Sequence, residues 1–158
     1  MGIFGKAAAC KHLCAVFDEE GWLYSGGESG LIYLWSDKCE VVKTIKAHAE
    51  PVTSIIYSQG KLISGSKESK IAIITCAGGN FKLEKTVDLG YMALKYPKSI
   101  DFFNNNLLLG LRNGSIMEVK NVLDEKSETK ILMHSHYEGE TWGLTVFENK
   151  FVTSGGDN

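Results

Sequence analysis

The chain has 158 residues, 44% of them hydrophobic, with 17 Lys and Arg against 19 Asp and Glu. That near balance excludes the strongly basic character of a typical nucleic-acid reader, and no stretch approaches the roughly 20 apolar residues of a helical membrane span. Cys10, Cys14, Cys39 and Cys76 contain no Cys-x-x-Cys pair, so neither a zinc knuckle nor a redox motif is indicated.

Met1-Gly2 is followed by Lys6 where a myristoylation signal needs Ser or Thr, and the short apolar run 7–10 is no secretory signal. A cytoplasmic chain with unpaired thiols is expected. Residues 1–11 form a lead-in, with Ile3-Phe4 available to pack on a preceding unit. A first unit, 12–46, reads as four strands: Leu13–Phe17, Trp22–Ser25, Leu31–Trp35 and Val41–Ile45. Runs of β-branched and aromatic residues bounded by Gly, Asp and Ser carry that reading. Gly30 is placed in the turn, where it is free to adopt positive φ. A second unit, 47–90, predicts strands at Val52–Tyr57, Lys61–Ser64, Ile71–Thr75 and Phe81–Val87. A third, 91–133, predicts Ser99–Phe103, Leu107–Gly110, Ser115–Val119 and Thr129–Met133, with Asn113-Gly114 as a two-residue hairpin turn. Residues 134–158 supply only Thr141–Phe147 and Phe151–Ser154, a partial unit. One helical turn is allowed at Met92–Lys95.

The units share a phrase: Ser25-Gly26-Gly27, Ser64-Gly65-Ser66, Leu109-Gly110-Leu111 and Ser154-Gly155-Gly156. Its middle glycines are 39, 45 and 45 residues apart. Repeats of roughly 40–45 residues with about four short strands are the mark of propeller blades. The fold expected is therefore all-β: about three full four-stranded antiparallel blades and a partial fourth, an incomplete β-propeller. Such a segment in isolation is expected to be unstable, sticky or oligomeric, because a cut blade face bares apolar surface.

The blades resemble the WD-repeat family. Leu34-Trp35-Ser36 stands where Leu-Trp-Asp would, Ala47-His48 stands for Gly-His, and Asp157 occupies the turn-acid place, with Glu28 replacing an earlier one. Ile73 or Ile74 replaces a Trp, and the third blade has neither Trp nor a clear His. On this resemblance Ser25, Trp35, His48, Ser64, His136, Trp142, Ser154 and Asp157 are structural blade positions, joined in the family by hydrogen bonds.

A narrower resemblance covers most of the chain. Gly2-Ile3-Phe4-Gly5-Lys6, Leu13-Cys14, Gly30-Leu31-Ile32-Tyr33-Leu34-Trp35, Lys46-Ala47-His48 and Gly110-Leu111-Arg112-Asn113-Gly114 occur in the order of the echinoderm microtubule-associated protein-like (EMAP-like) family. His136-Tyr137-Glu138-Gly139-Glu140-Thr141-Trp142-Gly143-Leu144 is similar to that family's His-x-Glu-Gly-Glu-x-Trp-Gly-Leu phrase. The resemblance implies two joined propellers, with 134–158 at the close of one or the opening of the next. It also implies a non-enzymatic scaffold binding tubulin or microtubules, in the cytoskeleton of the cilium or spindle.

His134, His136, Glu138 and Glu140 alternate as one face of a strand and suit a metal, or else form a solvated loop with His136 structural. Gly26–Gly30 is glycine-rich but precedes a strand, so no helix N-terminus is available for phosphate. No Gly-x-Ser-x-Gly elbow is present. Trp22, Trp35 and Trp142 are packing residues or interface anchors, and Lys61, Lys67 and Lys70 are solvated turn charges or a small basic patch. No catalytic, cofactor-binding or metal residue is assigned. The alternative to the microtubule scaffold is a general protein-interaction propeller, a peptide or substrate receptor. A metal enzyme built on His134–Glu140 is the third reading.

Overall fold

The computed structural model describes residues 9–77, 80–90, 96–134, 136 and 139–156. Every regular element among them is a strand. Four run in succession through one sheet: β1 (His12–Phe17), β2 (Leu23–Gly27), β3 (Leu31–Trp35) and β4 (Val41–Lys46). A second sheet follows the same order with β5 (Val52–Ser58), β6 (Lys61–Ser66), β7 (Lys70–Ala77) and β8 (Asn80–Asp88). A third comprises β9 (Pro97–Phe103), β10 (Asn106–Leu111), β11 (Ser115–Lys120) and β12 (Glu128–His134), and β13 (Thr141–Phe147) pairs with β14 (Lys150–Gly155) alone. All pairings are antiparallel. Three four-stranded blades and half of a fourth make an incomplete β-propeller, the architecture expected from the repeat spacing. Residues 92–95, read as a helical turn, lie outside the described residues, as do Ile3, Phe4 and Asp157.

Tight hairpins explain the meander. Gln59-Gly60 and Asn104-Asn105 both carry positive φ, at 52° and 73° and at 48° and 63°. That backbone matches strand twist and suits asparagine and glycine. At Asn113-Gly114, by contrast, only Gly114 has positive φ, at 77°, and residues 112–114 together link β10 to β11. The two-residue mirror turn of the third blade is thus at Asn104-Asn105, one hairpin earlier than the sequence suggested.

Strand alternation deals side chains to two cores, one on each side of the second blade. Leu62, Ala72 and Ile74 join Tyr24, Ile32 and Leu34 of the first blade, with Val52 and Phe81. Ile63, Ile71 and Ile73, the neighbours in sequence, join Leu107, Leu109, Leu111, Met117 and Val119 of the third. Because β7 is covered on both faces, it reads as a nearly continuous apolar run, Ile71-Ala72-Ile73-Ile74.

The recurring phrase has a steric origin. A Cβ on Gly26 would lie 2.5 Å from Val52 Cγ1, one on Gly65 2.6 Å from Pro97 Cγ, and one on Gly110 2.5 Å from Thr141 Cγ2. Each middle glycine is the place where the next blade's first strand packs. In the fourth blade the register puts Ser154, not Gly155, opposite Gly143, the place that Gly65 takes opposite Ser54.

Candidate functional site

Two kinds of arrangement recur: a hydrogen-bonded clamp in the first, second and fourth blades, and a row of side chains around the central cleft.

The clamp is fullest in the second blade. His48 is buried in the connection before β5, with Nε2 2.8 Å from Ser64 Oγ and Nδ1 3.3 Å from Glu68 Oε1. Glu68 also accepts the Ala49 amide at 3.1 Å and pairs with Lys70 at 3.2 Å. Burial holds the His48 imidazole below its ordinary pKa, against the opposing pull of Glu68. Burial pushes Glu68 upward, but the Ala49 amide and Lys70 outweigh it and leave the carboxyl below its ordinary value. A serine, a histidine and an acid in this connectivity match a nucleophilic triad. Ser64 is 0% exposed, however, so no substrate reaches its oxygen. The group acts as a clamp, satisfying polar atoms that would otherwise be orphaned in the interior.

In the first blade Trp35 Nε1 donates to Ser25 Oγ at 2.6 Å, and His12 Nδ1 lies 2.9 Å from the same oxygen. The imidazole comes from β1 itself, at the register place that Val52 takes in the second blade. His136 Nε2 is 3.2 Å from Thr153 Oγ1, so the hydroxyl it meets is that of Thr153 while Ser154 is exposed. The third blade has Leu109 where the others have Ser25 and Ser64, fully buried in the apolar core. Ile74 and Val119 take the register place of Trp35.

Sequence reasoning missed His12 and Glu68. Glu28, read as a turn acid, is exposed, and the first-blade counterpart of Glu68 is Ser29. The signal available for Glu68 was its place four residues after Ser64 in the turn. Lys61 lies at the opposite end of β6 from Lys67 and Lys70 and pairs with Glu84 at 2.6 Å, so the three lysines form no common patch. His134 Nδ1 meets Ser115 Oγ at 2.8 Å, away from His136, and Glu138 lies outside the described residues. Among the described residues no three His, Cys, Asp or Glu side chains gather as metal ligands.

The innermost strands β1, β5, β9 and β13 bound a cleft of about 550 Å³. Each bears an irregularity at one register level, where a residue is skipped between His12 and Cys14, Val52 and Ser54, Pro97 and Ser99, and Thr141 and Gly143. The skipped residues are Leu13, Thr53, Lys98 and Trp142, and all four line the cleft. A β-bulge re-aims the side chain it carries, and here it turns four unlike groups toward one mouth. Trp142 is 58% exposed, with Lys98 Nζ 4.3 Å from its ring centroid. Glu140 bridges Lys98 at 3.0 Å and Arg112 at 2.9 Å, and Arg112 Nη1 donates to the Tyr96 hydroxyl at 3.0 Å. Of the three tryptophans, Trp35 is buried, Trp22 packs half-buried on the first core and Trp142 faces solvent.

Repeating blades, clamps of histidine, hydroxyl, indole and acid, and a central cleft define a WD-repeat-type β-propeller. The chain is similar to the ciliary WD repeat-containing protein ctxp80 of Euplotoides octocarinatus, at 40% identity over 160 residues, 99% of this chain. It spans about a fifth, 21%, of that relative's length. In fold it is similar to the computationally designed Ika4 protein (TM-score 0.68, 17% identity, 95% of this chain and 88% of that one). It is also similar to the β-propeller domain of Myceliophteria thermophila Cps50 (Swd1), with TM-score 0.65, 17% identity, and 84% and 42% of the two chains covered. At those identities the structural likenesses speak to fold alone. No family model matches the chain.

Proposed function

We propose that this chain is a non-enzymatic protein-interaction scaffold of the EMAP-like kind, contributing blades to a propeller that binds tubulin or microtubules in a ciliary or spindle cytoskeleton. The observation that carries the scaffold reading is the cleft itself. Its lining sets an exposed indole and leucine beside a half-buried threonine and a paired ammonium, a set suited to holding a protein surface. In the serine–histidine–acid group of the second blade the serine and the histidine are buried. The microtubule reading draws on the EMAP-like phrases and on a relative whose name is ciliary. Units 12–46, 47–90, 91–133 and 134–158 are proposed as the successive blades.

Co-pelleting with polymerised microtubules tests the proposal. Saturable pelleting that survives moderate salt supports it. If folded protein stays in the supernatant and also fails to retain soluble tubulin, the microtubule reading falls and the general interaction propeller stands in its place.

A further inference from the structure

Each innermost strand bulges at the same level. The close contacts at the glycines come from the flanking positions, as in Val52 against Gly26 and Thr141 against Gly110, while Thr53 and Lys98 also reach across, to the Pro97 carbonyl and to Glu140. Leu13, Thr53, Lys98 and Trp142 share no residue type, yet all are turned to one cleft. We propose that this ring is the docking site for an extended acidic peptide segment, in which a carboxylate side chain is followed by an apolar one. The proposal deepens the scaffold reading above and rests on it.

Charge selects the acidic group. Lys98 and Arg112 share a single carboxylate, that of Glu140, which leaves one positive charge in excess at the mouth. The Glu140 and Lys98 side chains are 18% and 20% exposed, whereas that of Arg112, which pairs with Glu140 beside the cleft, is 39% exposed. An incoming carboxylate meets the Arg112 guanidinium, more open than the Glu140 carboxylate it pairs with, the setting for a charge-assisted hydrogen bond. The apolar neighbour is selected by the Trp142 ring, by Leu13, itself 49% exposed, and by Leu144. Extended backbone is favoured because, among the described residues, β1, β5, β9 and β13 each pair on one side only, at the inner edge of their sheets. Unpaired strand edges are ready partners for an added strand. A volume of about 550 Å³ lies within the usual range of binding sites.

The test is fluorescence anisotropy of the 158-residue chain with a labelled peptide of repeated Ser-Glu-Leu-Gly units at low salt. Two control peptides replace Glu by Lys, or Leu by Ser. Binding is expected for the first peptide alone, weakening as salt rises. Lys98→Glu, Trp142→Ala and Leu13→Asp are each expected to weaken it at least ten-fold, and Lys126→Glu, in an exposed loop away from the cleft, to leave it unchanged. Circular dichroism melts identify which variants fold, and any one folded variant of the three suffices. Equal binding of the Lys peptide, an oligonucleotide bound in preference, or unchanged affinity in the folded variants overturns the proposal. So does no binding of the first peptide up to millimolar concentration. Microtubule pelleting that persists in those variants would then leave the scaffold reading intact while this site is lost.

Discussion

Ser99 donates its hydroxyl hydrogen to the carbonyl of Thr141 at 3.1 Å, tying the innermost strand of the third blade to that of the fourth. Cys14, at the same register place in the first blade, meets the Val52 carbonyl at 3.6 Å. Between the second and third blades the donor is Thr53, 2.5 Å from the Pro97 carbonyl. One stitch thus recurs at every blade boundary, made by three different side chains, and the glycine beside it lets the strands approach.

That close approach sets the first prediction. Gly26→Ala would bring a Cβ within 2.7 Å of Cys14 Sγ and closer still to Val52. The expected loss is about 1–3 kcal/mol, as for other overpacked sites. Adding Val52→Ala should recover part of it. Urea unfolding of the single and double variants measures both, and an unchanged midpoint for Gly26→Ala contradicts the steric account.

Clamp and apolar replacement should fail differently. Ser64→Ala leaves the buried His48 Nε2 without its partner, a loss of about 1–3 kcal/mol. Leu109→Ala, at the matching place in the third blade, instead opens a cavity, and about 2–5 kcal/mol is expected. Ser64→Thr should keep most of the clamp's stability, since it keeps the hydroxyl. Comparing the urea midpoints of the three variants checks the distinction.

Stability should fall on mild acidification. His48 and His12 are both held below their ordinary value, chiefly by burial. The unfolded chain takes up protons near pH 6.5, where the folded chain does not. Stability is therefore complete above that pH and declines as pH drops below it. Glu68 adds a second loss further down, below the ordinary carboxyl range, as it protonates in the fold. Urea midpoints at pH 7.5 and 5.5 should differ in the wild type and differ less in His48→Gln, where only His12 of the two remains. A midpoint that rises on acidification reverses the expected sign.

The cysteines should react unequally. Burial pushes the Cys14 thiol up to about 12 and raises Cys76 as well, whereas Cys39 is exposed. At pH 8 the Cys14 thiolate fraction is then about one in 10⁴. Brief iodoacetamide treatment followed by peptide mapping should label Cys39 well before Cys14 or Cys76. Equal labelling in folded protein would contradict the burial.

The fourth blade should promote self-association. Among the described residues β14 pairs only with β13, and Phe147 and Val152 are 73% and 68% exposed. An open edge with apolar neighbours invites pairing between chains. Val152→Lys is expected to lower the concentration-dependent mass seen by sedimentation, whereas Lys130→Gln, on exposed β12, should not.

Strand positions, blade order and fold were legible because strand residues alternate with a period of two and turn residues recur every 40–45 positions. The phrase around Gly26, Gly65 and Gly110 was legible because sterics demanded the same residue each time. Glu68 was missed since one glutamate in a polar turn looks like any other until His48 is folded against it. His12 was missed because its imidazole reaches Ser25 from within a strand, not from the preceding connection.

The sequence by itself determined the all-β blades and their succession, since both follow from local periodicity and turn chemistry. Only the tertiary structure decided which residues face the cleft. A bulge is a mismatch in register between two paired strands, so Leu13, Thr53, Lys98 and Trp142 become equivalent only once β1, β5, β9 and β13 are paired with their neighbours.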